Sequence, residues 1–170
     1  MIRKLTTYLL FLLFANQVSA QKTTFIIIRH AEKDTTIEGS KMMVSDPPLN
    51  RLGEKRALSI VDKFKKYKID QIYSTNYKRT KATVMPIAQA KKIDISIYDP
   101  RKIDLFATQL LSTHNNGKTL LIVGHSNTSP KLVNILIGKE KYIELDESIY
   151  NTFWIVTYKH PKAKAKILKY

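Results

Sequence analysis

Cysteine is absent from the 170-residue sequence. Without thiols the chain can form no disulfide, use no thiolate nucleophile, bind no zinc through cysteine and carry no lipid on a cysteine. A folded domain of this composition must therefore be stabilised by its hydrophobic core alone. The absence also fits a protein of the bacterial periplasm, although it does not establish that location.

Acidic residues are scarce relative to basic ones. The chain has 14 Asp and Glu against 29 Lys and Arg, which gives a formal net charge of +15. An excess of this kind favours nucleic acid, an anionic membrane surface or a phosphorylated substrate as the partner. Because no recognition-helix motif and no basic face interleaved with aromatic residues accompanies the charge, we expect no nucleic-acid partner.

Long hydrophobic runs are also lacking, and the longest, residues 8–15, stands near the start. It is far shorter than the roughly 20 apolar residues that a membrane-spanning helix needs. Two basic residues precede it and a small-residue site ending at Ala20 follows it, which is the arrangement of a cleavable secretory signal. An uncleaved membrane anchor is the alternative. We predict that residues 1–20 are a signal peptide, that the mature protein begins at Gln21 without stable membrane insertion, and that residues 21–170 form a single domain.

Strand and helix patterns alternate along the rest of the chain. Two runs dominated by β-branched and other apolar side chains, residues 24–29 (TFIIIR) and 120–124 (LLIVG), are typical of strands buried on both faces. The pattern predicts an α/β fold, a three-layer sandwich with a mainly parallel sheet, helices on both faces and an antiparallel edge at the C-terminus. The expected elements are strand 24–29, a helix capped by Asn50 and ending near Tyr67, strand 69–74, helix 78–90 interrupted at Pro86, strand 93–98, helix 104–113 stopped by Asn115, strand 120–124, a helix from about 129 to 137, and strands 152–159 and 164–169.

Two of the four histidines stand where such sheets bind ligands, at the carboxyl ends of the buried strands. His30 directly follows the first apolar run and His125 directly follows the second. Arg29 adjoins His30, and Arg79 lies at the start of the helix after the strand that ends at Ser74. A single histidine is more often structural than catalytic, but two at the mouths of the most buried strands favour a functional site.

Arginine and histidine in this combination predict phosphate chemistry. The planar guanidinium group matches phosphate oxygens, so Arg29 and Arg79 could hold a phosphoryl group from two sides. Positive neighbours disfavour protonation of His30 and leave a ring nitrogen free for attack. The N-terminus of the helix after Gly124 adds to the positive field around His125. A metal site is the alternative use of paired histidines, but it would need converging carboxylates and no adjacent arginines, so we expect no metal.

Four motifs together resemble the histidine phosphatase superfamily, the phosphoglycerate mutase-like group. The first by itself is weak, whereas all four in the family's order are specific, and they extend over residues 24–138. The motifs are Arg29-His30-x-Glu32 after a strand, Pro48-Leu49-Asn50-Arg51-Leu52-Gly53 before a helix, Ser74-Thr75-Asn76-Tyr77-Lys78-Arg79-Thr80 around the second arginine, and Gly124-His125-Ser126 after another strand.

The resemblance implies that His30 becomes transiently phosphorylated and that Arg29, Arg79 and His125 hold the transferring phosphoryl group. It implies no metal and no organic cofactor. Relatives often carry a Glu as general acid shortly after an Asp-Pro-Arg stretch, and here Asp104 takes that position with a side chain one methylene shorter.

Asp104 has an alternative role, because Asp is also a frequent helix cap and a helix is predicted to follow it. Asp99, in the Asp-Pro-Arg stretch itself, is the next candidate for the general acid.

The sequence therefore predicts an exported hydrolase, periplasmic or secreted, that cleaves phosphomonoesters through a phosphohistidine intermediate. A mutase is disfavoured. Mutases of this family usually carry an Asn shortly after the Arg-His pair and large insertions that cover the site, and this chain has neither. The substrate could be a small sugar or nucleotide phosphate, a phosphorylated envelope glycan or a phosphohistidine protein, and export argues against the last. The alternative is a catalytically weak module of the same fold that binds phosphate or anionic glycan.

Overall fold

The computed structural model describes residues 21–36 and 46–170. The predicted signal peptide, residues 1–20, lies outside the described residues. Within the two described ranges no helix combines the length and the apolar character needed to cross a membrane.

Strands and helices alternate from the first described strand to the last helix, and two strands then close the chain. The elements are β1 (Thr23–Arg29), α1 (Arg51–Phe64), β2 (Gln71–Ser74), α2 (Lys78–Lys91), β3 (Ile95–Ile97), α3 (Ile103–Leu110), β4 (Thr119–Gly124), α4 (Thr128–Ile137), β5 (Thr152–Lys159) and β6 (Lys162–Lys169).

The six strands form one sheet in the order β3-β2-β4-β1-β5-β6. Strands β1 to β4 pair in parallel, whereas β5 and β6 pair antiparallel at the C-terminal edge, so the predicted fold class is confirmed. Arg29 of β1 lies opposite Gly124 of β4, and Ser74 of β2 lies opposite Val123. This register brings the carboxyl ends of three parallel strands to the same edge.

The core has two halves, one on each face of the sheet. Successive side chains of β1 and β4 point to opposite faces, and those inside both strands are fully buried, as their continuous apolar runs predict. One half packs β1 and β4 against α3 and α4 through Phe25, Ile27, Ile122, Phe106 and Leu132. The other packs the same strands against α1 and α2 through Ile26, Ile28, Ile60, Phe64 and Ile87.

The start of α1 is fixed against the loop that follows β1. The Asn50 side chain accepts a hydrogen bond from Gly53 N at 2.9 Å, which confirms the predicted cap. Asn50 N in turn donates to Glu32 O at 3.0 Å. A Cβ at position 53 would collide with the same Glu32 oxygen, so only glycine allows this close approach. The helix thereby holds the loop that carries His30.

The predicted interruption at Pro86 is wrong, because α2 continues through it. Proline removes one backbone hydrogen bond and its ring crowds the preceding turn, which costs about 3 kcal/mol in a helix interior. The helix nevertheless buries Val84 and Ile87 completely against the sheet. Burial of two such side chains offsets a cost of this size.

The third helix is shorter than predicted and begins earlier. Asp99, not Asp104, caps the turn that leads into it, since its Oδ1 accepts a hydrogen bond from Arg101 N at 3.0 Å. The helix ends at Leu110, where Asn115 Nδ2 donates to the Leu110 carbonyl at 3.1 Å. The helix thus ends before the stop predicted at Asn115-Asn116-Gly117, and of these residues Asn115 contacts the helix end through its side chain.

Candidate active site

Two histidines and two arginines meet at the carboxyl edge of the sheet and are nearly inaccessible to solvent. Their exposed fractions are 1% for Arg29, 3% for His30, 4% for Arg79 and 5% for His125. The imidazole centroids lie 5.4 Å apart, and Arg79 Nη2 lies 3.5 Å from His125 Nδ1. The sequence prediction that these four side chains converge agrees with this geometry, and we call the group the cationic cage.

The ring of His30 has a defined orientation. Its Nδ1 lies 2.7 Å from the carbonyl oxygen of Ala31, and because a carbonyl oxygen only accepts, Nδ1 carries the proton. The other nitrogen, Nε2, is then left with its lone pair. The backbone around the ring is also fixed, since His30 N donates to Gly124 O and Ala31 N donates to Thr83 Oγ1, both at 2.9 Å.

His125 has the opposite tautomer. Arg79 Nη2 can only donate, so His125 Nδ1 is the acceptor of that contact and Nε2 carries the proton. Nε2 donates to Thr75 Oγ1 at 3.0 Å, and Thr75 Oγ1 in turn donates a hydrogen bond to Thr80 Oγ1 at 3.0 Å. The threonines of the third sequence motif therefore orient the imidazole of the fourth.

Both imidazoles favour the neutral form. Burial lowers the pKa of His30 well below its usual value, and repulsion from His125, Arg79 and Arg29 adds to it, although the hydrogen bond to Ala31 O opposes the shift. Burial and then the two arginines lower the pKa of His125 to about 4. Desolvation, rather than the positive neighbours expected from the sequence, is thus the larger cause of the neutral state of His30.

We expect ¹⁵N NMR to find both imidazoles neutral at pH 6, where a histidine with an ordinary pKa of about 6.5 is mostly protonated. A lowered pKa means that the neutral form persists as the pH falls, until the shifted pKa is reached. His125 should titrate only near pH 4. The spectra should also show Nδ1–H for His30 and Nε2–H for His125. Titration of either ring near pH 6.5 would contradict the described burial.

Two tyrosines missed by the sequence analysis pack on the arginines. The Tyr150 ring lies 4.2 Å from Arg29 Cζ, and the Tyr77 ring lies 4.5 Å from Arg79 Cζ. A cation held over an aromatic face is attracted by the ring and restricted in orientation. Tyr77 could have been noticed inside the third motif, whereas nothing in the sequence marks Tyr150.

The segment between α4 and β5, residues 139–151, closes one side of the cage. Arg29 Nη1 donates to the carbonyl oxygens of Asp146 at 2.8 Å and Ile149 at 3.0 Å. Glu147 on the same segment lies 3.0 Å from Arg29 Nη2. The sequence analysis did not single out any residue of this segment.

The arginines retain unused hydrogen-bond donors. Arg29 Nε and Nη2 and Arg79 Nε are buried and donate to no acceptor in the described parts of the chain. Glu147 is close to Arg29 Nη2, but it is off the line of the N–H bonds, so this contact is an ion pair rather than a hydrogen bond. Buried donors without a partner are costly, and an anion bound between the arginines would satisfy them.

Glu32, in the loop after His30, is bound through its carboxylate to Arg56 of α1. Arg56 Nε donates to its two carboxylate oxygens at 3.0 and 2.9 Å. Burial raises the pKa of Glu32, but the hydrogen bonds from Arg56 outweigh burial and the pKa is lowered overall. Glu32 is therefore an ionised anchor between the His30 loop and α1.

Asp104 lies apart from the four cage residues. Its carboxylate is 78% exposed, and the cation recorded beside it is Lys131 on α4, at 4.0 Å. The alternative role of Asp104 as helix cap is wrong, because the residue at the cap position of α3 is Lys102. Its role as general acid stays a prediction.

Asp99 lies in the wall of a cavity of about 580 Å³ that borders the cage. The cavity begins where Tyr77 covers Arg79 and extends along Ile97 to Arg101. Arg101 Nε and Nη2 each donate to the Asp99 carboxylate at 3.0 Å, and these hydrogen bonds lower the pKa of Asp99.

No group of three His, Asp or Glu side chains suited to a metal ion occurs in residues 21–36 and 46–170. The geometry is that of an anion site: a neutral, oriented imidazole beside two buried guanidinium groups with unused donors. A cage of this kind at the carboxyl edge of a mainly parallel α/β sheet has the donors that suit a phosphoryl group.

The chain matches the family model of the histidine phosphatase superfamily (branch 1) over residues 25–101. It is 34% identical over 80 residues to phosphoserine phosphatase 1 of Hydrogenobacter thermophilus, a match that covers 47% of this chain and 37% of that protein. It is 34% identical over 93 residues to the probable phosphoglycerate mutase GpmB of Shigella dysenteriae serotype 1, which covers 55% and 43%. The matches thus span about two fifths of the length of these curated relatives.

A solved structure gives the same fold over nearly the whole described chain. The alpha-ribazole phosphatase from Shigella flexneri superposes with a TM-score of 0.72, covering 86% of this chain and 96% of that one at 13% identity. At this identity the likeness shows the fold alone.

Proposed function

We propose that the protein is a phosphatase that hydrolyses phosphomonoesters through a phosphohistidine intermediate on His30. The observation that carries the proposal is the orientation of His30, whose Nδ1–H is bound by Ala31 O so that Nε2 keeps its lone pair, on a ring whose centroid lies 5.4 Å from that of His125. Arg29 and Arg79 supply buried donors that match the oxygens of a phosphoryl group. Phosphoryl transfer needs little more than an aligned nucleophile and a fixed positive surround.

The reaction has two steps. In the first, His30 Nε2 attacks phosphorus, a P–N bond forms, the P–O bond to the alcohol breaks, and the alcohol leaves with a proton from the general acid. In the second, water attacks phosphorus and the P–N bond breaks. The hydroxyl of water stays on the phosphate, and its other proton returns to the general acid. Arg29 and Arg79 hold the oxygens throughout and stabilise the charge that spreads over them. His125, whose Nδ1 accepts from Arg79 Nη2, orients that guanidinium group.

The cavity lined by Tyr77, whose ring packs on Arg79 and His125, supports a small organic group as the alcohol. Its volume of about 580 Å³ suits a small molecule or one terminal sugar of a glycan. The walls combine apolar and aromatic side chains, Ile97 and Tyr77, with the Asp99–Arg101 pair. We therefore favour a small phosphomonoester or a phosphorylated envelope glycan as the substrate.

The proton donor to the leaving alcohol is tested by comparing leaving groups. As general acid, Asp104 predicts that Asp104→Asn slows hydrolysis of alkyl phosphates by about 10² to 10⁴ and spares p-nitrophenyl phosphate, whose leaving group needs little protonation. A solvent-facing Asp104 that only contacts Lys131 predicts small and equal effects on both esters. Equal effects would remove Asp104 from the mechanism, and Asp99→Asn should then be compared in the same way.

A phosphate-binding module with weak turnover is the second candidate, and one observation favours it. Three carboxylates around the cage and its neighbouring cavity are held by cations: Asp99 by Arg101, Asp46 by Arg79 and Glu147 by Arg29. A carboxylate held in this way is a poor proton donor. Such a module would bind phosphate and release almost none from alkyl esters.

Phosphate release separates the two candidates. The purified full chain should be incubated with a panel of sugar phosphates, nucleotides, phosphoamino acids and phosphorylated glycans, in the presence of EDTA because no metal is required by the proposal. We expect turnover of at least one alkyl ester. Binding of inorganic phosphate without release from any ester would favour the binding module.

Action outside the cytoplasm is part of the proposal and rests on residues 1–20. We expect protein recovered from its native host to begin at Gln21, and a mass measurement checks this. Retention of residues 1–20 would contradict cleavage.

A further inference from the structure

Glu147 brings a negative charge into the cationic cage. Its Oε1 lies 3.0 Å from Arg29 Nη2, and its Oε2 lies 3.2 Å from Lys33 Nζ. The same Oε1 accepts a hydrogen bond at 3.0 Å from Ser126 Oγ, and Ser126 directly follows His125. The carboxylate therefore neutralises one of the two guanidinium groups that a phosphoryl group would need.

The contact between Glu147 and Arg29 is close but poorly aligned. The N–H bonds of Arg29 Nη2 make no hydrogen bond to the carboxylate despite the 3.0 Å separation. Arg29 is 1% exposed, whereas the Glu147 side chain is 63% exposed. The arginine is thus fixed, and the carboxylate lies at the solvent side with open space to move into. An anion that enters the cage can align with the unused donors better than Glu147 does.

The backbone of the segment does not depend on this ion pair. Arg29 Nη1 holds the carbonyl oxygens of Asp146 and Ile149, and Leu145 N donates to Ser126 O at 3.0 Å. These bonds flank position 147 on both sides. The Glu147 side chain can therefore turn away from Arg29 while the segment stays in place.

We propose that Glu147 is a resident anion of the cage that the substrate phosphoryl group displaces, and that it makes the site select dianionic phosphomonoesters. The inference rests on the proposed function, because it concerns the same phosphoryl-binding cage. A phosphomonoester carries about −1.5 to −2 charges at pH 7, more than the carboxylate that it replaces. A carboxylate ligand or a phosphodiester carries only one charge and gains nothing by the exchange. Glu147 is thus a specificity-determining residue.

The affinity of the full chain for inorganic phosphate at pH 8 tests the displacement. Isothermal titration calorimetry should find phosphate bound about 2- to 5-fold more tightly by Glu147→Gln than by wild type, since a partly exposed ion pair no longer has to be broken. Glu144→Gln is the matched control. Glu144 lies on the same segment and bonds Ser126 Oγ at 3.2 Å, but it contacts neither Arg29 nor Lys33. Its phosphate affinity should equal that of wild type.

Acetate, which mimics the Glu147 carboxylate, tests the shared position. In Glu147→Ala, acetate should compete with phosphate and return the apparent affinity toward the wild-type value, whereas wild type should be insensitive to acetate. Equal phosphate affinity in Glu147→Gln and wild type, or acetate competition in both wild type and Glu147→Ala, would overturn the proposal. So would a large loss of turnover in Glu147→Gln without tighter phosphate binding, because that result defines a proton donor.

These outcomes can be separated from the fate of the proposed function. Tighter phosphate binding by Glu147→Gln in a protein that hydrolyses no ester supports the resident anion and contradicts the phosphatase. Hydrolysis through His30 with unchanged affinity in Glu147→Gln does the reverse.

Discussion

His30→Ala is expected to abolish turnover, lowering the rate on every phosphomonoester by at least about 10⁴-fold, as loss of a covalent nucleophile does in other enzymes. No other imidazole of the cage can replace it. His125 Nε2 is committed to Thr75 Oγ1, and its Nδ1 faces Arg79. Initial rates with an alkyl and an aryl phosphate measure the effect.

The loss must be shown to be chemical rather than structural. His30 makes one side-chain hydrogen bond, to Ala31 O, so thermal unfolding should change little. His114→Ala is the matched control, because His114 is exposed on the turn Thr113–Asn115. Brief incubation of wild type with labelled substrate should leave an acid-labile, alkali-stable label on His30. Near-normal turnover in His30→Ala would show that the covalent mechanism is wrong.

The strands of the fold and the centre of the site could be predicted because local sequence determines both. Residues 25–28 of β1 and 120–123 of β4 are apolar at every position because both faces of these strands are buried. Residues that directly follow such strands must emerge at the carboxyl edge of the sheet. His30 and His125 therefore met in the structure as the sequence predicted.

The side of the cage formed by residues 139–151 could not be predicted. This segment has no regular secondary structure, so no periodicity shows which side chains point inward. Its path depends on long-range bonds: Asn134 Oδ1 accepts from Tyr142 N at 2.9 Å, and Arg29 holds two of its carbonyl oxygens. Glu147 and Tyr150 reach the cage only through these contacts.

Asp104 shows a second limit of prediction from sequence, since an alignment of motifs does not fix which face of a helix a residue occupies. The Asp99 cap produces a turn at Pro100–Lys102, and α3 then begins at Ile103. Ile103 and Phe106 are buried against the sheet, so Asp104 is placed on the exposed side of the first helical turn. A resemblance in sequence does not show which side of the helix faces solvent.

Arg79→Ala is expected to lower kcat/KM by about 10² to 10³, the range for loss of a donor that stabilises charge in the transition state. Both KM and kcat should change, because Arg79 contacts the phosphoryl oxygens of the bound ester and its hydrogen bonds strengthen in the transition state as charge develops on those oxygens. Arg79→Lys keeps the charge but loses the planar fork, and its ammonium cannot replace both the bond to the oxygens and the contact with His125 Nδ1. We expect it to recover only a small part of the loss.

Arg51→Ala is the matched control for Arg79→Ala, because Arg51 is an exposed arginine at the start of α1. Its rate should equal that of wild type. The Arg79 side chain is 5% exposed and lies 3.5 Å from Asp46 Oδ1, so thermal unfolding should accompany the kinetics and exclude a general loss of structure. The buried Arg79 Nε has no partner in the described parts of the chain, and the proposal assigns it to the phosphoryl group. If Arg79→Ala folds and retains wild-type kcat and KM, that assignment is wrong and the two-arginine cage does not hold the phosphoryl group.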